Sequence, residues 1–202
     1  MSIYDLLTEV SSMGNFSPEY WEKMIHKIPT TGVVDRRKFL VEKAKDKTIL
    51  DIGCTGPMSV LLREAAYCYH GLDMTDNPGY TGNYHKYDLD KAVHLPPIPN
   101  LEIVIMGEVL EHLSNPGHTL DLVKEYNLPV VITVPNAFSK GSHDTLLAKN
   151  IESVNKDHVS WYSYKTLHTL VTRHGFNVTE WHWYNGKPVF AEGLIFRVEP
   201  HI

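Results

Sequence analysis

The stretch TILDIGCTGPMS, residues 48–59, constrains the fold of this chain more than any other part of its sequence. A run of β-favouring residues is followed by the turn residues Gly53–Gly56, and then by an apolar run that is typical of a helix. In open α/β sheets, a strand, a tight glycine turn and a helix N-terminus together form a cradle for a small molecule. The stretch therefore predicts such a sheet, with a ligand site at the end of its first core strand.

Short apolar runs separated by helical or loop segments continue along the chain, which predicts a parallel sheet. The predicted strands are Thr48–Ile52, Tyr67–Leu72, Tyr84–Tyr87, Leu101–Met106 and Val130–Val134. Helices are predicted within residues 143–154 and 163–176. Strands over 177–184 and 189–198 follow, joined by a hairpin at Asn185–Pro188. We expect an α/β, Rossmann-like sheet of seven strands, five of them parallel and the last two an antiparallel hairpin.

The N-terminal part is predicted to be helical. Ser17 and Pro18 are typical of a helix start, so one helix is expected over residues 19–28, and a second over residues 35–45. The 202 residues fit one domain. We therefore expect residues 1–47 to form a helical cap that belongs to the same domain as a core over residues 48–202.

Cysteine usage and the N-terminus predict where the protein works. The two cysteines, Cys54 and Cys68, lack metal-type spacing, which favours a reducing compartment. The first residues carry acids and no basic flank, so no signal peptide is expected. No apolar run approaches the roughly 20 residues that span a bilayer. We expect a cytoplasmic protein that does not contact membranes, and the oligomeric state stays open.

The acidic residues concentrate in one segment. The net charge is −5, and residues 51–112 carry nine acids against three bases, so all of the excess negative charge lies in the segment that begins with the glycine turn. This distribution argues against a phosphate-rich ligand there and favours a cationic one. It also disfavours a nucleic-acid partner without excluding it, because no basic stripe is present.

Acids follow the ends of four successive predicted strands, at Asp51, Asp73, Asp88 and Glu108. The carboxyl ends of parallel strands lie along one edge of the sheet, where ligands bind. Asp73 lies about 20 residues beyond Asp51, the distance at which nucleoside-binding sheets place an acid on the ribose hydroxyls. Asp88 and Leu89 can pair with an adenine edge, through the carboxylate and a backbone N–H.

Asp51 distinguishes between the ligands that use such a cradle. A dinucleotide would bring a pyrophosphate to the turn, where this carboxylate would repel it, and no Lys or Arg occurs between Asp51 and Arg63 to act as a P-loop lysine. A nicotinamide oxidoreductase is disfavoured for the same reason. S-adenosyl-L-methionine instead combines adenine and ribose with a sulfonium and an ammonium group, which suit these acids. The sequence therefore predicts S-adenosyl-L-methionine as the cofactor.

The motifs ILDIGCTG, HGLDMTD, YDLDKAVHLP, IVIMGEVLEHLSNP, VVITVPN and HVSWYSYKTLHTLVTRHGF resemble those of class I S-adenosylmethionine-dependent methyltransferases of the type 11/12 kind. The resemblance implies methyl transfer to an oxygen or nitrogen of a small-molecule acceptor. It implies that Asp51 and the turn line the methionine and sulfonium part, and that Met74 lies against the adenine. The cofactor-binding residues it implies are Asp51, Gly53, Cys54, Gly56, Asp73, Met74, Asp88, Leu89 and Gly107.

The glycine turn departs from the family pattern D-x-G-x-G-x-G. Here Cys54, Thr55, Gly56 and Pro57 follow the first glycine, so the loop is one residue short and Gly56 stands in for the last glycine. This departure motivates an alternative hypothesis, a catalytically inactive module that only binds the adenosyl nucleoside.

The motif EVLEHL supports a second alternative. If Glu108 starts a helix, Glu111 and His112 share its face, and such a set can bind a divalent metal such as Mg²⁺ or Mn²⁺. The pattern resembles the metal ligands of ubiquinone-biosynthesis O-methyltransferases and of small-RNA 2′-O-methyltransferases. The RNA enzymes add a distant histidine, for which His158 is the candidate. In the competing interpretation, the glutamates only complement a helix N-terminus.

Three histidines are candidate catalytic bases, His112, His143 and His158, because imidazole titrates near neutrality and an acceptor hydroxyl has to lose its proton. Trp161, Tyr162 and Tyr164 could stack on a flat acceptor or pack in the core, and the sequence leaves both open.

Overall fold

Eight strands form one mixed sheet in the part of the chain that the computed structural model describes, residues 28, 32–76 and 82–201. The strands are β1 (Val33–Val34), β2 (Thr48–Ile52), β3 (Cys68–Asp73), β4 (Asn83–Lys86), β5 (Ile103–Gly107), β6 (Val130–Pro135), β7 (Phe176–Tyr184) and β8 (Gly193–Pro200). The helices are α1 (Arg36–Ala44), α2 (Pro57–Ala65), α3 (Pro116–Lys124), α4 (Lys140–Lys149) and α5 (Tyr164–Arg173), with a 3-10 helix at Leu110–His112. The helix predicted over residues 19–28 lies outside the described residues except for Ile28.

The strand order is β1-β7-β8-β6-β5-β2-β3-β4. Strands β4, β3, β2, β5 and β6 are parallel neighbours, and β8 runs antiparallel between β6 and β7. This confirms the predicted five parallel strands with a terminal antiparallel pair. The eighth strand, β1, was not predicted, because two residues that pair with Trp183 and Tyr184 are too short to carry a periodic pattern.

Helices cover both faces of the sheet. On one face, α1 and α2 bury Phe39, Leu40 and Leu62 against the odd-numbered residues of β2 and β5. On the other face, α3 and α5 pack against a larger apolar cluster that includes Trp183 and Phe196. Helix α4 has no buried residue and lies outside these layers. No helix in the described ranges is both long and apolar enough to cross a membrane.

Capping residues and left-handed turns set several boundaries of the helices and strands. The predicted bounds of β2 match the structure residue for residue, and the helix predicted over residues 35–45 is α1, whose N-cap Asp35 accepts from the Lys38 N–H. Strands β3 to β7 agree with their predicted bounds to within two residues, and two elements start three or four residues away from their predicted positions. Helix α4 begins at Lys140, after the N-cap Ser139, and ends where Asn150 turns left-handed. Strand β8 begins at Gly193 because the connection before it contains several left-handed residues.

The strand order reverses between β2 and β5, since the chain proceeds from β2 towards β3 on one side and from β5 towards β6 on the other. The two loops that leave these strands diverge and open a crevice at the carboxyl ends, where ligands bind in open α/β sheets. Gly53 follows β2 and Glu108 follows β5, so both lie at this switch point.

Candidate functional site

Gly53 packs directly against the loop that follows β5. Its φ is +80°, and a Cβ at this position would lie 2.5 Å from the Cγ2 atom of Val109. Its backbone N–H donates to the Leu72 carbonyl at 2.8 Å, which ties the turn to β3. A side chain is therefore excluded both by the left-handed backbone and by the neighbouring valine.

A cavity of about 710 Å³ opens on one side of this turn, at the ends of β2, β3 and β5. Its volume is in the range of pockets that hold cofactors. Five of the predicted cofactor residues line it: Gly53, Asp73, Met74, Asp88 and Leu89. The tertiary structure thus brings the residues predicted for the nucleoside half of the ligand to one cavity, which we name the nucleoside pocket.

The two aspartates of the nucleoside pocket are held differently. Asp73 accepts from the Thr75 N–H at 3.0 Å and from the Thr55 hydroxyl at 3.4 Å, so its carboxylate is anchored to the glycine turn. Asp88 accepts from the Lys91 ammonium at 2.6 Å in an exposed ion pair. Because exposed ion pairs contribute little free energy, a ligand amino group can displace Lys91 at low cost.

A second cavity, of about 760 Å³, lies on the other side of the turn, and we name it the α1–α2 cavity. It shares Gly53, Thr55 and Glu108 with the nucleoside pocket. The predicted cofactor residues Asp51, Gly56 and Gly107 line this cavity. Cys54 is buried and lines neither cavity.

Asp51 is buried beneath the turn, and not on the open surface of the nucleoside pocket. The Tyr69 hydroxyl donates to it at 2.6 Å, and Ser59 in the first turn of α2 forms a further hydrogen bond. Burial raises the pKa of Asp51 to about 6, against the lowering effect of these two hydrogen bonds. The carboxyl group thus braces β2, β3 and the start of α2 against one another.

The metal hypothesis supposed that Glu108 starts a helix, and this condition is not met. Glu108 has a φ of +59°, and only a 3-10 helix follows, at Leu110–His112. Its carboxylate accepts from the Thr133 hydroxyl at 2.8 Å and from the Tyr184 hydroxyl at 2.9 Å. A left-handed residue cannot continue into a regular helix, so Glu108 and Glu111 do not share a helical face.

Arg36 is a site residue that the sequence analysis missed. It starts α1, lies 3.8 Å from the Glu108 carboxylate, and places its guanidinium over the Tyr184 ring at 5.5 Å. Its Nε atom is buried without a hydrogen-bond partner. Arg36 lines the α1–α2 cavity, where it offers donors to an anionic group. No local motif marks it, because the contacts that place it are with residues far along the chain.

A second group of titratable residues lies beside the nucleoside pocket. Ligand atoms of Glu111, His112 and His158 all lie within 4.8 Å of one another. Glu111 is 1% exposed and both of its carboxylate oxygens lack a partner. Burial, and then the charge of Glu108, raise the pKa of Glu111 to about 8, while burial and His112 lower the pKa of His158. Glu108 lies outside this group, so the four predicted metal ligands are not assembled together.

The remaining predicted residues lie between the end of β6 and the first residue of α5, with His143 on α4. His158 lines a small cavity between that loop and α4, and His143 lines an adjoining one. Tyr162 is buried, with its hydroxyl on the Leu110 carbonyl, and Tyr164 packs against Trp181, so both belong to the packing of the core. Trp161 is 43% exposed and lines both cavities.

Comparisons with known proteins agree with this fold. The model of a family described as "methyltransferase domain" matches residues 20–180. The small RNA methyltransferase HEN1 has a similar structure, with a TM-score of 0.62, 13% identity and coverage of 83% of this chain. The present chain spans only 25% of that HEN1 chain. No curated protein sequence matches.

For two further solved structures, the matched region covers most of this chain and most of the other chain. An S-adenosylmethionine-dependent methyltransferase from Archaeoglobus fulgidus has a TM-score of 0.58 and 15% identity, with 81% of this chain and 94% of that chain covered. The magnesium protoporphyrin IX methyltransferase of Synechocystis, solved with bound SAH, has a TM-score of 0.58 and 14% identity, with 82% and 80% covered. At these identities the likeness shows the fold.

The glycine turn generates a prediction about stability. Gly53→Ala should lower the free energy of unfolding by about 2–4 kcal/mol, since the new Cβ meets Val109 in a left-handed backbone. Gly56→Ala is the matched control, because φ is ordinary there and a Cβ would meet nothing within 4 Å. Urea unfolding of both variants measures the difference, and equal destabilisation would contradict the packing described.

The buried Asp51 generates a prediction about pH. Because its pKa is raised in the folded state, the folded protein binds more protons than the unfolded chain, and stability falls as the pH rises from about 4 to 6. Asp51→Asn removes this dependence. The free energy of unfolding of Asp51→Asn minus that of wild type should therefore increase by about 2 kcal/mol between about pH 4.5 and pH 8.

Urea unfolding at a series of pH values measures this difference, and the exposed Asp76→Asn is the control. A difference between Asp51→Asn and wild type that stays constant with pH would contradict the raised pKa.

Proposed function

The chain belongs to the class I S-adenosylmethionine-dependent methyltransferases, the family whose domain model it matches, and from this premise we propose that it methylates an oxygen or nitrogen of a small molecule. One observation carries the proposal. The predicted nucleoside-binding residues line a single cavity, and His112, a candidate base, lines the same cavity. Donor and acceptor chemistry thus meet at the end of β5.

We place the adenosine of the donor in the nucleoside pocket. Asp73 would accept from the two ribose hydroxyls, and its anchoring by Thr55 and Thr75 fixes the carboxylate before the donor arrives. Asp88 and Leu89 would pair with the adenine edge, and the exposed Met74 would cover the ring. The donor would then cross Gly53, where the absence of a side chain lets it approach the backbone.

The methionine end would reach the α1–α2 cavity. Its carboxylate is the donor's one anionic group, and Arg36 is the cation that this cavity presents with an unpartnered buried N–H. The sulfonium and ammonium would lie near Glu108 and over the buried Asp51. The carboxylate, the ammonium and the sulfonium of the methionine part would therefore each meet a side chain of opposite charge.

The acceptor would approach from the side of His112 and His158. The Nδ1 atom of His112 lies 3.2 Å from the Asp157 carbonyl, so a neutral ring donates there and leaves Nε2 free to take a proton. The His158 ring is in edge contact with it, at 4.6 Å between ring centroids. Either imidazole can remove the proton of an acceptor hydroxyl, whereas an amine that is already uncharged can attack without a base.

The donor supplies an activated methyl group when bound, so the protein mainly has to align it with the acceptor and exclude water. Alignment of this kind can contribute about 7–11 kcal/mol to the lowering of a barrier. The residues that would provide it are on rigid elements, since Gly53 and Glu108 follow central strands of the sheet.

A second candidate function is metal-assisted methylation of RNA, which the group of Glu111, His112 and His158 favours. Three ligand atoms within 4.8 Å, one of them on a buried carboxylate without partners, fit a divalent cation that accepts nitrogen ligands, such as Mn²⁺. Such an ion would polarise the acceptor hydroxyl and lower its pKa. HEN1 acts on small RNA, but the excess of acids over bases in residues 51–112 opposes an RNA acceptor here.

The donor site is tested by Asp73→Asn. Loss of a charge-assisted hydrogen bond to the ribose should weaken S-adenosylhomocysteine binding by about 10- to 100-fold. Asp76→Asn is the control, since Asp76 is exposed and does not line the pocket. Calorimetric titration gives both affinities. If Asp73→Asn bound the nucleoside as tightly as wild type, this donor placement would be wrong, and methyl-labelled donor incubated with candidate acceptors tests transfer itself.

The second candidate is tested with Mn²⁺ alone. If it is correct, wild type binds Mn²⁺ and does so more tightly as the pH rises, because the raised pKa of Glu111 has to be overcome before its carboxylate can act as a ligand. Glu111→Gln and His158→Ala should each weaken binding by about tenfold or more, whereas His143→Ala should not. Calorimetry that detects no Mn²⁺ binding to wild type would exclude the candidate.

A further inference from the structure

Two connected chambers lie beyond His158, between α4 and the loop of residues 150–161. The inner chamber has a volume of about 170 Å³ and the outer one about 440 Å³. Both chambers are lined by Ala137, Ser142, Ser153 and Trp161, so we treat them as one cleft. The half-exposed indole of Trp161 lies between the two chambers. We name it the Trp161 cleft.

The Trp161 cleft adjoins the nucleoside pocket through a pair of histidines. His112 lines the nucleoside pocket and His158 lines the inner chamber, and their rings are in edge contact. A molecule in the inner chamber would therefore present its reacting group next to the imidazoles, on the side from which the proposed function requires the acceptor to come.

The size and the walls of the inner chamber favour one small ring. Cavities of about 150 Å³ hold a single benzene-sized ring, and the inner chamber is of this size. Its hydroxyl groups are fixed in advance, because Ser139 donates to Ser142 at 2.8 Å and Ser142 to the Ser153 carbonyl at 3.4 Å. The side chain of Asn136 is fully used in holding Val189, Ala191 and Phe138, so it shapes the chamber without binding a ligand.

The charges of the Trp161 cleft have one sign. Glu192 lines the inner chamber and Glu152 the outer one, and no Lys or Arg is among the described residues that line either. Glu192 accepts from the Asn185 amide, and among the described residues neither glutamate forms an ion pair. Trp161 adds an aromatic face to which cations are attracted. A phosphate or carboxylate would therefore face two carboxylates with no Lys or Arg among the described lining residues to offset them.

Resting on the proposed function, we propose that the methyl acceptor is a small single-ring molecule with a positively charged group, bound with its ring in the inner chamber and its cation between Trp161 and the two glutamates. The same walls disfavour phosphate-bearing acceptors, RNA included. The acceptor class thus follows from the volume and the charge of one cleft.

The test uses three probes that share a phenol ring and differ in charge: tyramine, tyrosol and 4-hydroxyphenylacetate. Calorimetric titration of wild type should give affinities in the order cation, neutral, anion, with on the order of tenfold between tyramine and 4-hydroxyphenylacetate. The double variant Glu152→Gln/Glu192→Gln should reduce that ratio to about threefold or less. Glu64→Gln, an exposed acid on α2, is the matched control.

Trp161→Ala should weaken all three probes by about tenfold, while Trp161→Phe, which keeps an aromatic face, should retain most of the affinity. Binding of 4-hydroxyphenylacetate as tight as that of tyramine, no binding of any probe to wild type, or displacement of tyramine by a short single-stranded RNA at low salt would each overturn the proposal.

S-adenosylhomocysteine is titrated into the same samples. If wild type did not bind S-adenosylhomocysteine, the proposed function would be contradicted. The order of affinities of the three probes tests the proposal for the Trp161 cleft independently of that result. The glutamate and Trp161 variants should bind S-adenosylhomocysteine as wild type does, which shows that they are folded.

Discussion

The contact between Gly53 and Val109 is the constraint on which the site depends. It joins the loop after β2 to the loop after β5, at the place where the strand order of the sheet reverses. One cavity opens on each side of the contact, and the two cavities share Gly53, Thr55 and Glu108 in their linings. A ligand with a nucleoside at one end and an amino acid at the other matches this division.

Two buried acids, Asp51 and Glu111, flank the contact, and they differ in the hydrogen bonds that their carboxyl groups receive. Asp51 receives hydrogen bonds from Tyr69 and Ser59, which offset part of the cost of its burial, so its carboxyl group supports the turn from below. Glu111 has no such partners and lies against two histidines. A buried polar group without partners is costly in free energy and points to a role beyond packing. We infer that Asp51 supports the turn beneath the proposed donor, whereas Glu111, which finds no hydrogen-bond partner among the described residues, fits the role that the second candidate function gives it.

The proposed donor and acceptor sides are built from different kinds of structure. The proposed donor side is formed by the ends of central strands, which buried neighbours hold on both faces. The Trp161 cleft is formed by a connecting loop and by α4, a helix with no buried residue. Loops on a rigid scaffold can change their lining without disturbing the core. This division allows one fold to keep a shared donor while acceptors differ between relatives.

The sequence by itself determined the parallel sheet, the bounds of β2, and the placement of Asp73 and Asp88 on one edge, because these depend on local periodicity and on a turn that only glycine permits. It could not predict that Glu108 turns left-handed and faces Tyr184, or that Arg36 joins them, since these contacts bridge residues far apart in the chain. The grouping of Glu111 with His158 was expected only from the resemblance to the small-RNA enzymes, and the tertiary structure brings their ligand atoms close together without Glu108. Side chains from separate loops meet only after the core has packed, and no local pattern records the distances that result.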